Sequence, residues 1–238
     1  MPRDLDQLRE IEIIPQYLTN PAGSAMTSFG RTKVLCTVMV EDKVPPWLMK
    51  DGEALHGWIT ATYNMLPGSG NTRIKRERKG PKGRTHEIER LIGRSLRTAV
   101  DLSLLGQRTF WVDCDVLQAD GGTRTAAITG AWVALKIAVE KLVREGQIEK
   151  NPMLRQIAAI SVGIVNGKNQ LDLAYKEDSE ADVDMNVVMD NRGNLIEVQA
   201  TGEENVFSRK QHEVLLDLAE QGISDLMILQ LKALEEKH

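Results

Sequence analysis

The feature that most constrains how this chain folds is the order of its hydrophobic patterns, in which runs of strands precede helices. In the first half, short segments with alternating apolar or β-branched side chains predict strands. These segments are 10–14, 24–29, 32–41, 56–66 and 109–116. Apolar residues that recur every three or four positions predict helices at 85–105 and 125–145. We expect Thr85 to cap the first helix and Gly106 to end it.

The second half of the chain repeats this order. Strands are predicted at 157–165, 171–175, 183–189 and 195–200. Terminal helices are predicted at 211–221 and 223–237, separated by Gly222. Both halves are therefore runs of strands that close with helices. This indicates an α+β protein in which two similar units, about 1–150 and 151–238, pack together as a single domain.

Composition favours a globular protein in a reducing compartment. With 238 residues, 42% of them apolar and 27% charged, the chain can bury a sizeable core without disulfides. Cys36 and Cys114 each lie in an apolar run and form no C-x-x-C pair, so we interpret them as buried free thiols. The N-terminus is charged and no apolar run reaches the length of a membrane span, so we expect a cytoplasmic protein without a membrane partner.

Positive charge is concentrated on one segment of an acidic chain. The net charge is −4, yet residues 73–97 contain ten cations and three acids, a local charge of +7 that leaves −11 for the remainder. Within this region, 67–83 combines glycine, proline and cations without an apolar period, which predicts an exposed and mobile loop. Such a segment favours contact with nucleic acid, and a solvated surface loop is the alternative interpretation.

Residues 118–125, QADGGTRT, join a predicted strand to a predicted helix. The paired glycines allow the backbone to approach a ligand closely, and the threonine, arginine and helix start that follow suit an anion. We interpret this turn as a site for inorganic phosphate. A Gly-Gly turn with Thr123 as the helix N-cap is the alternative. Arg84 also falls at a helix start, where a cation is unfavourable unless an anion is present.

The acidic segment KEDSEADVD contains Asp178 and Asp184, six residues apart. Two carboxylates brought together here could hold Mg²⁺, or one could act as a general acid while the other sets its protonation state. A solvated acidic turn is the alternative. The sequence contains no G-x-x-x-x-G-K-[ST], G-x-G-x-x-G or G-x-S-x-G motif, and its four histidines lack metal-ligand spacing.

Five longer segments resemble the ribonuclease PH family of phosphate-dependent exoribonucleases, also called tRNA nucleotidyltransferases. They are GWITATYNMLP, GRTHEIERLIGRSLRTAVDL, VDCDVLQADGGTRTAAITGAWVAL, ISVGIVNG and DMNVVMDNRGNLIEVQATGE. The resemblance extends in order over nearly the whole chain. It implies two packed β-α units of the ribosomal protein S5 domain 2-like type, with mixed sheets and with helices between and outside them. It also implies a ring-shaped homohexamer, assembled as a trimer of dimers.

The resemblance further implies a reaction in which orthophosphate shortens tRNA precursors and other RNA from the 3′ end and releases nucleoside 5′-diphosphates. Inorganic phosphate is then the co-substrate. The family's phosphate-binding residues map onto Arg84, Gly122, Thr123 and Arg124. Its two aspartates map onto Asp178 and Asp184, which in relatives such as polynucleotide phosphorylase hold a divalent metal, Mg²⁺ or Mn²⁺, and assist catalysis.

The basic loop resembles the family's RNA-guiding segment, in which Arg73 and Arg76 match expected cations. Gly68 stands where many members carry another arginine, and Asn64 and Asn71 also depart from the commoner pattern. Two other functions are weighed against phosphorolysis: a metal-dependent hydrolytic nuclease and a non-catalytic RNA-binding ring subunit, as occurs in exosome-like assemblies. The complete set of arginines and aspartates disfavours the non-catalytic subunit.

Overall fold

The first half of the chain forms a mixed sheet. The strands of this half, in chain order, are β1 (Ile11–Pro15), β2 (Gly23–Phe29), β3 (Thr32–Glu41), the short β4 (Met49–Lys50) and β5 (Glu53–Ala54), β6 (Trp58–Met65) and β7 (Thr109–Gln118). The computed structural model describes residues 3–77, 80–203 and 205–236. Over these residues five strands form one sheet in the order β1-β2-β3-β7-β6, while β4 and β5 pair with each other. Only the β6–β7 pair of the five-stranded sheet is parallel.

The second half forms an antiparallel sheet. Its strands are β8 (Ile157–Val165), β9 (Lys168–Leu171), β10 (Ala181–Asp190) and β11 (Leu195–Gly202). Their order in the described part of the chain is β11-β10-β8-β9. Every residue of β8 is buried, which explains its continuous apolar sequence. The predicted Asn166-Gly167 turn is confirmed, since both residues have positive φ and Val165 pairs with Lys168 across them.

Helices separate and cover the two sheets. They are α1 (Gly83–Thr98), α2 (Thr123–Arg144), α3 (Tyr175–Ser179) and α4 (Arg209–Glu235), with short 3₁₀ turns at Pro46–Leu48 and Leu102–Leu105. The central helix α2 contacts β2 and β3 on one side and β8 on the other, so most of its residues are buried. Helix α1 packs against β6, and α4 packs against β8. This arrangement confirms the predicted α+β class with helices between and outside mixed sheets.

One hydrophobic core connects both halves. Phe29 from the first sheet, Ile128 from α2 and Ile160 from the second sheet are all fully buried in the same cluster. Cys36 and Cys114 belong to this core as free thiols, as predicted. The division into duplicated halves at about 1–150 and 151–238 stays a prediction. Among the described residues, no helix is both long and apolar enough to cross a lipid bilayer.

The terminal helix differs from its prediction. The sequence predicts two helices separated by Gly222, whereas α4 continues through this residue. Gly222 lies against Leu171 of β9, and a Cβ atom at this position would approach the Leu171 side chain to 2.7 Å. The glycine therefore permits close packing of helix on sheet and does not end the helix. Lys237, at the predicted end of the helix, lies outside the described residues.

Two other predicted boundaries are displaced. The strand predicted at 171–175 is found at Lys168–Leu171, and the chain then turns into α3. The helix predicted at 85–105 begins at Gly83 and ends at Thr98, and a separate 3₁₀ turn leads to Gly106. Thr85 therefore lies inside α1 and does not cap it. The apolar spacing continues across this break, so periodicity alone could not reveal the break.

Candidate active site

The turn between β7 and α2 requires its two glycines. Gly121 and Gly122 have φ angles of +76° and +64°, in the left-handed region that other residues rarely adopt. A side chain on Gly121 would collide with the carbonyl oxygen of Leu173, and one on Gly122 would begin 3.0 Å from the Arg9 guanidinium. The turn therefore lies in close contact with two segments that are distant in sequence.

Two side chains engage the backbone of this turn. Thr32 Oγ1 donates to the carbonyl of Gly121 at 2.6 Å and accepts from the N–H of Asp120 at 2.8 Å. Arg9 Nη1 donates to the carbonyl of Asp120 at 2.6 Å. No side chain among the described residues caps the N-terminus of α2. The N–H groups of its first turn are thus available to an anion, which the helix dipole also favours.

Thr123 is the first residue of α2, because Gly122 occupies the N-cap position. The alternative interpretation of Thr123 as the N-cap is therefore wrong. Its hydroxyl pairs with the phenol of Tyr63 on β6, with 2.8 Å between the two oxygens. Tyr63 is only 3% exposed, so this pair forms part of the wall where α2 meets the first sheet.

Arg84 and Arg124 approach this pair from the first turns of two different helices. Burial raises the pKa of Tyr63, while its hydrogen bond with Thr123 and the charges of Arg84 and Arg124 oppose that rise. Charges have such an effect only when they lie near the titrating group. The structure therefore brings together the two arginines that the sequence places 40 residues apart.

Two polar side chains hold Arg124 in place. Its Nη1 donates to Gln199 Oε1 at 2.9 Å and lies 3.5 Å from Glu87 Oε2. Gln199 Nε2 in turn donates to Glu87 Oε1 at 2.8 Å, so residues of α2, β11 and α1 form a closed network. The Arg124 side chain is 22% exposed, and a guanidinium has five N–H donors, which leaves donors for a ligand.

Arg84 is exposed in the first turn of α1, which contains no acidic residue. Glu77 from the basic loop covers this helix start. It accepts from the N–H of Lys82 at 2.8 Å and from Thr85 Oγ1 at 3.2 Å. The Glu77 carboxylate thus already serves the positive end of the helix dipole, and the exposed Arg84 guanidinium is the group at this helix start that can bind a further anion.

Asp178 on α3 and Asp184 on β10 lie on the same side of the molecule as the arginines. Burial raises the pKa of Asp178, and the charges of Arg124 and Arg84 oppose the rise. Burial also raises the pKa of Asp184, and the carboxylates of Asp178 and Glu203 add to it. The two aspartates are thus close enough to repel each other. Asp184 is partly buried, whereas Asp178 is exposed on α3, so the alternative of a solvated acidic turn is wrong for Asp184 but not for Asp178.

The oxygen atoms of this pair suit a hard cation. Asp184 Oδ1 is buried, and it has no hydrogen-bond partner within the part of the chain that the structure describes. A buried polar atom of this kind is costly unless a ligand compensates it. In the described ranges no group of three or more His, Cys, Asp or Glu side chains is placed to hold a metal. A cation would therefore use two carboxylates and complete its coordination with water and substrate oxygens, as Mg²⁺ often does.

The basic loop lies beside Arg84. Arg73 and Arg76 are exposed, in agreement with the predicted surface loop. Arg76 and Arg84 line the same cavity of about 520 Å³, to which Tyr63 and Ile74 contribute apolar surface. Two further cations of the basic segment, Arg78 and Lys79, lie outside the described residues.

Three residues of the site escaped the sequence analysis, namely Tyr63, Glu87 and Gln199. The alternation of β6 could have identified Tyr63, because a tyrosine on the buried face of a strand needs a partner for its hydroxyl. Glu87 and Gln199 offer no such pattern, since they lie 112 residues apart and meet only through tertiary packing.

Two family models match the chain in succession. The model of the 3′ exoribonuclease family RNase PH, domain 1, matches residues 7–139, and the model of domain 2 matches residues 155–222. The chain belongs to the RNase PH family. Both arginines of the candidate site fall in the first matched region, and both aspartates fall in the second.

Relatives in the RNase PH family match nearly the full length of the chain. Ribonuclease PH from Bacillus pumilus is 55% identical over 228 residues, which cover 94% of this chain and 93% of that protein. Ribonuclease PH from Corynebacterium kroppenstedtii is 52% identical over 238 residues, with coverages of 99% and 92%. Ribonuclease PH from Syntrophomonas wolfei is 54% identical over 230 residues, with coverages of 96% and 95%.

Solved structures show the same fold at lower identity. A chain of the Archaeoglobus fulgidus exosome with RNA bound to the active site has a TM-score of 0.78 and 24% identity, and covers 94% of this chain and 89% of its own. Rice Rrp46 has a TM-score of 0.75 and 23% identity, with coverages of 97% and 98%. At these identities the likeness establishes the RNase PH fold alone.

Proposed function

We propose that this chain is a phosphate-dependent 3′ to 5′ exoribonuclease that trims tRNA precursors and other RNA and releases nucleoside 5′-diphosphates. It belongs to the RNase PH family, and its relatives of 52–55% identity are ribonucleases PH. One observation carries the proposal. Arg84 and Tyr63 line the same cavity, and the Tyr63 phenol lies 2.8 Å from the Thr123 hydroxyl. Thr123 directly precedes Arg124 in the first turn of α2, so both arginines lie at helix starts beside the same tyrosine.

Phosphate must be held beside the last phosphodiester of RNA although both are negatively charged. Arg84, Arg124, the Thr123 hydroxyl and the N–H groups that follow Gly122 would offset this repulsion and align the attack. An oxygen of phosphate then bonds to the phosphorus atom, and the bond between phosphorus and the 3′ oxygen breaks. The reaction needs no nucleophile from the protein, and it can run in reverse to add nucleotides from diphosphates.

Asp178 and Asp184 would serve the 3′ oxygen that leaves. They would hold Mg²⁺ or Mn²⁺, and the unpartnered Asp184 Oδ1 supports this assignment. A bound divalent cation supplies positive charge to phosphate oxygens and to a leaving oxygen. A carboxyl whose pKa is raised is also suited to deliver a proton to the 3′ oxygen.

The basic loop would guide RNA toward the phosphate. Arg73 and Arg76 are exposed, and Arg76 lines the same cavity as Arg84. An RNA chain that contacts the loop would therefore lie beside the proposed phosphate site. These cations would contact the RNA backbone and therefore add affinity without reading the sequence of bases.

The product of digestion tests the proposed reaction. A short RNA with a labelled 3′ nucleotide is incubated with the protein and Mg²⁺, with and without inorganic phosphate. We expect nucleoside 5′-diphosphates that form only when phosphate is added. Nucleoside monophosphates formed without phosphate would indicate the hydrolytic nuclease instead, and RNA binding without any product would indicate the non-catalytic ring subunit.

Replacing Arg124 by alanine tests the phosphate site. We expect kcat/KM for phosphate to fall by about 10²- to 10³-fold, because a donor aimed at the reacting anion is lost, while RNA binding is retained. Arg94→Ala is a matched control. Arg94 on α1 is exposed, and its Nη1 lies 2.7 Å from Glu197 Oε2 on β11, so its partner is outside the phosphate turn. Unchanged kcat/KM for phosphate in the Arg124 variant would exclude this role.

The proposal extends to a cytoplasmic homohexamer assembled as a trimer of dimers. Large apolar side chains stay exposed on the single chain, among them Trp47 at 69%, Ile228 at 65% and Leu55 at 57%, and burial between copies would remove them from water. Light scattering of the purified protein measures the assembly directly. A mass of six chains is expected, and a stable monomer across the working concentration range would refute the hexamer.

A further inference from the structure

We infer that Tyr63 is a positioning residue for phosphate, which it orients through the hydroxyl of Thr123. This inference rests on the proposed function, in which Thr123 contacts phosphate. The Tyr63 phenol lies 2.8 Å from Thr123 Oγ1, the first side chain of α2. Tyr63 itself lies on β6, at a distance of 60 residues in sequence from its partner.

The direction of this hydrogen bond determines what Thr123 offers to a ligand. Each hydroxyl has one proton and can also accept. A phenol is more acidic than an alcohol, so Tyr63 is the better donor and Thr123 the better acceptor of the pair. When Tyr63 donates to Thr123 Oγ1, the threonine proton remains for a phosphate oxygen. In the opposite direction, Thr123 would turn a lone pair toward the anion and repel it.

The surroundings of Tyr63 keep it in the donor state. Burial raises the pKa of the phenol, and the opposing effects of Thr123, Arg84 and Arg124 do not reverse that rise. The phenol therefore carries its proton at neutral pH. The ring belongs to the hydrophobic core and is 3% exposed, so its orientation is fixed by packing.

The proton of Thr123 has no competing acceptor in the part of the chain that the structure describes, where Tyr63 is the sole hydrogen-bond partner of Oγ1. The neighbouring hydroxyl of Thr125 behaves differently, since it donates to the carbonyl of Gly122 at 2.9 Å. Of these two threonines, only Thr123 can therefore present its proton to an anion at the start of α2.

The variant Tyr63→Phe removes the phenol oxygen and retains the ring. We expect KM for phosphate to rise by about 3- to 10-fold, the range that follows from the loss of one neutral hydrogen bond, while KM for RNA is unchanged. Thr62→Val is the matched control. It removes a hydrogen bond of 2.7 Å that runs from Thr62 Oγ1 on the same strand, β6, to Asp113 Oδ1 on β7, outside the phosphate site, and should leave KM for phosphate unchanged.

A double-mutant cycle separates positioning from a general loss of structure. In Thr123→Ser the hydroxyl remains, so Tyr63→Phe should raise KM for phosphate by the same factor as in the parent protein. In Thr123→Val the hydroxyl is absent, so Tyr63→Phe should have no further effect. If Thr123→Val turns over too slowly to measure, calorimetric titration with inorganic phosphate gives the same comparison from dissociation constants.

The outcomes distinguish this inference from the proposed function. Diphosphates that form only with phosphate, together with a Tyr63→Phe effect that requires a hydroxyl at 123, support both. If the parent protein is phosphorolytic but Tyr63→Phe leaves KM for phosphate unchanged, or shifts it equally in Thr123→Val, the inference is overturned alone. Release of monophosphates without phosphate by the parent protein overturns the proposed function itself.

Discussion

At the scale of single residues, the candidate site holds one charged group, Asp184, where burial disfavours its ionised form. Asp178 and Asp184 both have raised pKa values, chiefly through burial, and their mutual repulsion adds to the rise for Asp184. Such an arrangement lowers the stability of the fold. It is typical of functional positions, where a perturbed pKa serves catalysis or ligand binding. The orphaned Oδ1 of Asp184 belongs to the same pattern.

Replacing Asp184 by asparagine should abolish activity and stabilise the fold at neutral pH. Because the carboxyl binds its proton more tightly in the folded chain, the stability it provides is complete below the unfolded pKa and is lost as pH rises through the raised folded pKa. Asparagine stays neutral throughout. Calorimetry should show a thermal midpoint about 1–3 °C above the parent at pH 7.

This gain should disappear when the pH falls below about 3.9, the ordinary pKa of aspartate. Asp217→Asn, at an exposed position on α4, serves as the control and should shift the midpoint little at either pH. A variant of Asp184 that melts below the parent at pH 7 would show that the carboxylate stabilises the fold instead.

The arginines, glycines and aspartates of the site could be nominated from the sequence, but the side chains that contact them could not. The segments around Arg84, Gly122 and Asp184 carry local chemistry and a family resemblance that single them out. The hydrogen bond from Tyr63 to Thr123 spans 60 residues and the network of Gln199 with Glu87 spans 112. Contacts at such separations depend on how the elements pack, which local patterns do not encode.

At the scale of elements, the spacing of apolar residues predicted most strands and the central helix. Each of these elements has one buried face or is buried throughout, and its apolar residues mark that burial. The errors occur where packing overrides a local rule. Gly222 would end an isolated helix, yet contact with Leu171 keeps it within α4. The segment after Leu171 is apolar enough for a strand, yet Asp172 has a φ of +55°, which turns the chain toward α3.

The basic loop is the element for which ionic strength is the appropriate probe. Replacing Arg73 and Arg76 together by alanine should weaken tRNA binding and flatten the log–log dependence of affinity on salt. Each lost phosphate contact lowers that slope by about 0.7–0.9. Binding is measured by fluorescence anisotropy over a series of salt concentrations.

A matched pair of exposed cations controls for the change in net charge. Arg209 and Lys210 lie at the start of α4, and their double replacement by alanine removes the same charge from another surface. We expect that variant to keep the parent slope. If the Arg73 and Arg76 variant also keeps it, the loop is a solvated surface without a role in binding.

At the scale of the whole molecule, a buried ion pair ties the two sheets to the phosphate turn. Arg9 precedes β1, and its Nε and Nη2 donate to the two oxygens of Asp172 at 3.0 and 2.7 Å. The Arg9 backbone N–H also donates to Asp172, at 2.9 Å. The side chains of Arg9 and Asp172 are 8% and 0% exposed. Removing either partner would therefore leave a buried charge uncompensated and strongly lower the free energy of unfolding.

Replacing Arg9 by methionine should destabilise the protein by up to about 3–5 kcal/mol, because the buried carboxylate of Asp172 loses both hydrogen bonds from the Arg9 side chain and keeps the more distant Arg3, at 3.6 Å, as a cationic partner. Adding Asp172→Asn should recover part of this loss, since asparagine is neutral and tolerates positive φ. Urea unfolding measures both variants. Arg31→Met is the control, as Arg31 pairs with Asp120 of the same turn at 3.0 Å but is 78% exposed, and should cost much less stability than Arg9→Met.

Equal losses for the Arg9 and Arg31 variants would show that burial of the pair is unimportant.

The same ion pair sets an order of events during protein synthesis. Arg9 and Asp172 are separated by 163 residues, so Arg9 leaves the ribosome long before its partner exists. A chain cut short before Asp172 contains the first sheet's strands and the basic loop, yet it lacks the carboxylate that fixes Arg9 against the Gly-Gly turn, and it also lacks Asp178 and Asp184. Under the proposed function, such an incomplete product would carry the RNA-guiding loop without the groups that cut RNA, so nuclease activity would arrive only with the completed fold.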